Sequence, residues 1–140
     1  MRLVVIVAAL VLSSCGGGNS PTAPTPQPTS QTLDFSPTVS GFGFAFQDVT
    51  VFQSPVQATA TLRWSDSRKD LDLYWTNPLC VIINGAFAGT GCLIVSQSLS
   101  RAGTLETVSG PAAAGSTIRL FIVNFSAAPE PTTISVTLRW

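Results

Sequence analysis

QATATLRWSDSRKDLDLYW, residues 57–75, reads as two strands joined by a polar turn. In its first half Ala58, Ala60, Leu62 and Trp64 alternate with Gln57, Thr59, Thr61 and Arg63. A period of two puts the first set on the buried face of a half-exposed strand. The second half repeats the pattern: Leu71, Leu73 and Trp75 point to a core, while Asp70, Asp72 and Tyr74 share the opposite face. Between them lies the polar connection SDSRK. From Arg63 to Trp75 this stretch holds six of the chain's fourteen Lys, Arg, Asp and Glu residues, with its only Lys and only Tyr. Such a concentration fits a turn, a cation site or a pair of catalytic carboxylates.

Outward from this pair, strand signals recur and no stretch keeps a helical period. Thr132 to Trp140, TTISVTLRW, alternates with Ile134, Val136, Leu138 and Trp140 inward, and ends in the same Thr-Leu-Arg-Trp as Gln57–Trp64. No repeat extends beyond that echo, so it marks two similar half-buried strands. Ser116 to Phe125 is apolar on both faces, with Ile118, Leu120 and Ile122 on one and Phe121, Val123 and Phe125 on the other. That fits a central strand, or one whose outer face meets a loop or a partner. Gly41 to Phe46 sets Phe42, Phe44 and Phe46 on one face opposite Gly and Ala. Two readings stand for that stripe: a platform for sugar rings or apolar polymer, and a core face, which the small residues opposite favour. The parity then shifts to Val49 and Val51, predicting a bulge or a change of sheet. With Cys80–Asn84, Cys92–Val95 and Thr104–Ser109 as further strands, about eight short strands predict an all-β, jelly-roll-like antiparallel β-sandwich.

The segment TLRWSDSRKDLDLYWTNP resembles the bacterial pre-peptidase C-terminal (PPC) domain: a strand ending in an aromatic residue, a short polar turn, Asp-Leu-Asp-Leu-Tyr and a Pro. Glu106-Thr107-Val108, the turn Ala114–Thr117 and the strand Thr132–Leu138 continue the resemblance. Thr117 and Ile118 stand where that family usually has an aromatic residue. The resemblance implies a jelly-roll-like sandwich that accompanies secreted peptidases. It also implies binding of insoluble polymers such as collagen, in some relatives with calcium.

The first 32 residues read differently. After Met1-Arg2, Leu3 to Leu12 is an unbroken apolar run, well short of the about 20 residues of a membrane-crossing helix. Its length and flanks fit a secretory leader. Leu12-Ser13-Ser14-Cys15 resembles the lipobox of bacterial lipoproteins, which implies cleavage before Cys15, a lipid on its sulfur and stable anchoring by several acyl chains. Residues 1–14 are thus the leader. Cys15 and the Gly-, Pro- and Thr-rich stretch to Thr32 are an anchor and tether, which at about 3.1 Å per residue holds a domain up to about 50 Å from the membrane. Leu33–Trp140 is the domain. Gly16 stands where an Asp would resemble an inner-membrane retention signal, so outer-membrane placement is expected.

Lipidation of Cys15 leaves Cys80 and Cys92 as a pair in an oxidising compartment. The eleven residues between them include the turn signal Asn84-Gly85. A disulfide there is preferred over metal ligation, because two Cys and no His make a poor zinc site. A zero net charge without a basic cluster excludes nucleic acid as a partner. For the acidic tract, a turn-and-strand role ranks first, with carboxylates accepting backbone N–H or pairing with Arg68 or Lys69. A calcium site of Asp66, Asp70 and Asp72 ranks second, and catalysis by Asp70 and Asp72 third. No His supplies a general base, the remaining Cys are expected oxidised, and Lys69 sits in a solvated turn where it stays protonated. The expectation is a non-enzymatic, lipid-anchored envelope module that binds an extracellular polysaccharide or protein polymer, or an envelope protein. A purely structural role without a polymer ligand, and an accessory role beside a peptidase with structural calcium, are the alternatives.

Overall fold

A computed structural model describes residues 30–53, 57–101 and 103–140. The leader, Cys15 and the tether up to Thr29 lie outside the described residues. Eleven strands and no helix are found among the described residues. In chain order they are β1 (Ser30–Phe35), β2 (Thr38–Val39), β3 (Phe44–Thr50), β4 (Gln57–Trp64), β5 (Leu71–Thr76) and β6 (Val81–Ile83). They continue with β7 (Ala86–Ala88), β8 (Ile94–Ser98), β9 (Leu105–Gly110), β10 (Thr117–Asn124) and β11 (Glu130–Arg139).

Eight of these build two facing sheets, ordered β1-β11-β4-β9 and β3-β10-β5-β8, with all pairings antiparallel. Strands adjacent in sequence mostly fall in opposite sheets, and the first and last lie side by side. This order is that of a jelly roll made of two Greek keys. Short β2 pairs with the start of β11, and β6 and β7 form a separate hairpin. β1 begins at Ser30, three residues inside the stretch read as tether, and pairs along its length with β11.

The alternation read in the sequence is what closes the core. Ala58, Ala60, Leu62 and Trp64 of β4 face Leu71, Leu73 and Trp75 of β5, with Ile118, Leu120 and Ile122 of β10 and Ile134, Val136 and Leu138 of β11. All are buried, and each fully buried large side chain contributes about 1.5–3 kcal/mol. The two strands sharing Thr-Leu-Arg-Trp are neighbours, with Thr132 opposite Trp64 and Arg139 opposite Gln57.

β3 departs from its expected reading. Its pairing with β10 runs without a shift from Thr50 to Phe44, so no bulge separates Phe46 from Val49. Ala45 packs against the core, Val49 is buried in it, and Phe44 and Phe46 point outward. The small residue, not the aromatic one, is the inner one. Phe42, Phe44 and Phe46 are 76%, 44% and 53% exposed. The core reading of this stripe is therefore corrected: it is an outer surface.

Candidate functional site

The outer face of the β3-β10-β5-β8 sheet carries a row of rings built around Phe121. β10 is the central strand expected from its two apolar faces, and Phe121 on its outer side is only 1% exposed. What covers it is the segment between Cys80 and Cys92, which are joined by a disulfide. Asn84 and Gly85 turn the hairpin with φ of 53° and 78°. This is the primed turn that matches strand twist, and only glycine enters it without steric cost. Phe87 on β7 reaches the sheet, its ring 5.2 Å from Phe121 and 4.8 Å from Tyr74, both edge-on. Phe46 and Phe44 flank Phe121 at 5.7 and 6.0 Å. Tilted and edge-on pairs at such distances add about 0.5–1.5 kcal/mol each beyond burial.

Arg119 ties the hairpin's base to this face. Its guanidinium donates two bonds of 2.7 Å to Asp48 on β3, sits 4.6 Å from the Phe46 ring centre, and donates to the Cys80 carbonyl. Pairing with Asp48 raises its pKa further. Asn77 holds the far side of the loop through the Gly91 carbonyl and the Leu93 N–H.

Between hairpin and sheet edge runs a slot of about 230 Å³. Ile82 and Phe87 form one wall, Phe42 and Phe44 the other, and Tyr74 and Val123 the floor, with Phe125 at one end. Phe42 stands at its mouth with φ of 48°, a region that costs a bulky residue about 1–2 kcal/mol. Its loop is pinned from both sides. Phe42 N–H donates to Ser126, Gly43 N–H to Ser40, and Asn124 N–H to Gly43. A Cβ on Gly41 would lie 1.8 Å from the Ala127 carbonyl oxygen, so only glycine fits there. Beneath, the buried Asn124 amide donates to the carbonyls of Val39, Ser40 and Ala128 and accepts from Ser126 N–H. An exposed, strained aromatic residue on an over-determined loop is a common mark of a functional position.

The acidic tract divides into separate tasks. Asp66 accepts Arg68 N–H and is paired with its guanidinium at 3.0 Å, which holds the carboxyl down at about 2. That is the turn role expected first, with a carboxylate serving its own connection. Lys69 does not join the aspartates. It reaches Glu130 and the Pro129 carbonyl, so it is a half-buried ion-pair partner rather than a solvated turn residue. Glu130 also accepts Ser65 N–H, Ser65 hydroxyl and Asp66 N–H. Burial would raise its carboxyl, but Lys69 and these donors outweigh burial and hold it below the usual range.

Asp70 and Asp72 do share a surface, a cavity of about 450 Å³ that Leu99, Arg101 and Phe125 also line. Asp72 is raised chiefly by burial, against the 3.0 Å bond donated by Tyr74 hydroxyl, and Tyr74 is pushed up to about 12. One buried oxygen of Asp70 has no partner among the described residues. Glu106 is buried nearby. Burial raises it, with smaller pushes from Asp72 and Asp70, and it accepts Ser100 N–H. Asp66, committed to Arg68, is not part of this cavity. The three acids of the second-ranked calcium reading, Asp66, Asp70 and Asp72, thus do not line one cavity, and no group of three acids, Cys or His that could hold a cation is found among the described residues.

Sequence reasoning marked Phe42, Phe44, Phe46, Phe125 and the outward Tyr74, but not Phe87, Ile82 or Glu130. Phe87 lies beyond the Asn84-Gly85 turn in a stretch that was not read as a strand, and Glu130 reads as an isolated acid between two prolines.

No protein-family profile matches the chain, and no curated protein matches it significantly. Among solved structures, a mitogen derived from Yersinia pseudotuberculosis superposes with a TM-score of 0.51 at 11% identity, over 78% of this chain and 86% of that one. A periplasmic inhibitor of g-type lysozyme from Aeromonas hydrophila gives 0.45 at 13%, over 79% and 87%. The CBM22-1–GH10 modules of Clostridium thermocellum xylanase 10B give 0.42 at 9%, over 79% and 26%. The first likeness is one of fold alone, and the other two are weaker still.

Proposed function

We propose that this chain is a non-catalytic binding module held outside the cytoplasm, with the aromatic slot as its binding site. The observation that carries this reading is Phe42, three-quarters exposed and in a strained conformation at the mouth of an apolar cleft. Folding gains little from such a residue, and a ligand gains a rigid ring. The disulfide supports export, since such bonds persist in oxidising compartments. The absence of His from the sequence, the oxidised cysteines and the engagement of Lys69 by Glu130 support a binding role over catalysis. In this reading Cys15 carries the lipid, residues 16–29 are the tether, and the domain is of the PPC kind in the outer membrane.

Two measurements test it. Incorporation of labelled palmitate should occur in the wild type and vanish in Cys15→Ser. The full-length chain should bind an insoluble polymer (chitin, cellulose, collagen or peptidoglycan) or a displayed peptide more strongly than Phe42→Asn does. Asn tolerates the same backbone region, so only the ring is lost. Equal binding by both proteins to every one of these surfaces overturns the slot as the site.

A further inference from the structure

Resting on the slot as the binding site, we infer that its occupant is an extended peptide segment of a partner protein, one that inserts a large apolar side chain beside Phe42 and carries a basic residue next to it.

Size is the first argument. Pockets that hold whole small-molecule ligands span roughly 300–1,000 Å³. This slot, at about 230 Å³, suits an anchoring side chain, as in interfaces where one buried residue dominates the binding energy.

Chemistry is the second. A sugar entering an apolar slot loses water from its hydroxyls and needs donors and acceptors in return. Here the polar side chains of the lining are committed elsewhere: Tyr74 hydroxyl donates to Asp72, and all the Asn124 amide bonds go to backbone. None of the lining residues is charged. Phe rings without free polar partners discriminate for apolar side chains and against polyols.

Charge is the third. Phe125 lines both the slot and the cavity of Asp70 and Asp72, so a chain leaving the slot past this ring meets two carboxylates and the single guanidinium of Arg101. A Lys or Arg adjacent to the apolar anchor complements this end.

The test is selection of a phage-displayed random-peptide library on the immobilised full-length chain, alongside chitin, cellulose and peptidoglycan binding. The expected result is enrichment of peptides pairing a Leu or aromatic residue with a neighbouring Lys or Arg. Their affinity should fall about tenfold or more in Phe42→Asn. Asp70→Asn should cost basic peptides about threefold and their Gln counterparts nothing. Added salt should repeat that difference in the wild type, which keeps the charge claim testable if the variant misfolds. Enrichment of apolar peptides without a basic preference overturns the inference and leaves the slot as a binding site. Phe42-dependent retention on a glycan without peptide enrichment does the same. Neither peptide nor polymer binding that depends on Phe42 overturns both readings.

Discussion

At Phe42 the backbone adopts a left-handed conformation that glycine takes freely, while the ring projects into solvent. Phe42→Gly should therefore stabilise the domain by about 1 kcal/mol while weakening ligand binding. A rise in the urea midpoint with an unchanged slope would verify the first half. Asn124 behaves in the opposite way. Its buried amide donates to the backbone carbonyls of Val39, Ser40 and Ala128 and accepts Ser126 N–H, and Asn124→Ala removes all four bonds at once. A loss of about 2 kcal/mol or more is expected in chemical denaturation. Both residues belong to one device: Asn124 fixes the loop, and the loop holds Phe42.

At the scale of elements, the hairpin β6–β7 is the part most dependent on a covalent bond. It pairs with itself rather than with either sheet, and is held by the disulfide, the Phe87 ring and the Arg119 bond to Cys80. The double variant Cys80→Ser/Cys92→Ser should lose about 3 kcal/mol on the chain-entropy account. Amide exchange should accelerate in Val81–Ala88 far more than in β10 or β11, and slot binding should fall with it. A uniform loss of protection across all strands would instead make the hairpin part of the cooperative core. Strands β4 and β11 were legible because each buries one face and leaves the other more open, so polarity records orientation, and β10 was legible as a central strand because both of its faces are apolar. β3 was not. With rings on one side and Gly, Ala and Gln on the other, polarity points the wrong way when the aromatic side is the functional exterior.

For the whole molecule, buried carboxyls of opposite tendency set the pH response. Asp72 and Glu106 are raised, chiefly by burial. The folded state thus holds their protons more tightly than the unfolded chain, and stability grows as pH falls from neutral towards about 4. Glu130 is held low by Lys69 and three donors against its burial, and Asp66 is held low by Arg68. Their contributions are present above their unfolded pKa values and vanish as pH falls through the folded ones. Thermal midpoints should therefore peak on the acid side of neutrality and drop steeply below about pH 4. Glu130→Gln should blunt the acid limb, and Glu106→Gln the limb towards neutral pH. A profile flat from pH 4 to 8 would contradict the burial of Asp72 and Glu106.

What the amino-acid order alone determined was the strand alternation, the jelly-roll class, the disulfide partners and the turn role of Asp66, since each rests on period, cysteine count or a neighbour two residues away. Only the tertiary structure decided which face of β3 looks outward, that Phe87 roofs Phe121, that Lys69 answers Glu130 across sixty-one positions, and that Asp66 parts from Asp70 and Asp72. Those outcomes depend on how two sheets and one tethered hairpin stack. Stacking is settled by summed apolar burial over the entire chain, which no local window of sequence contains.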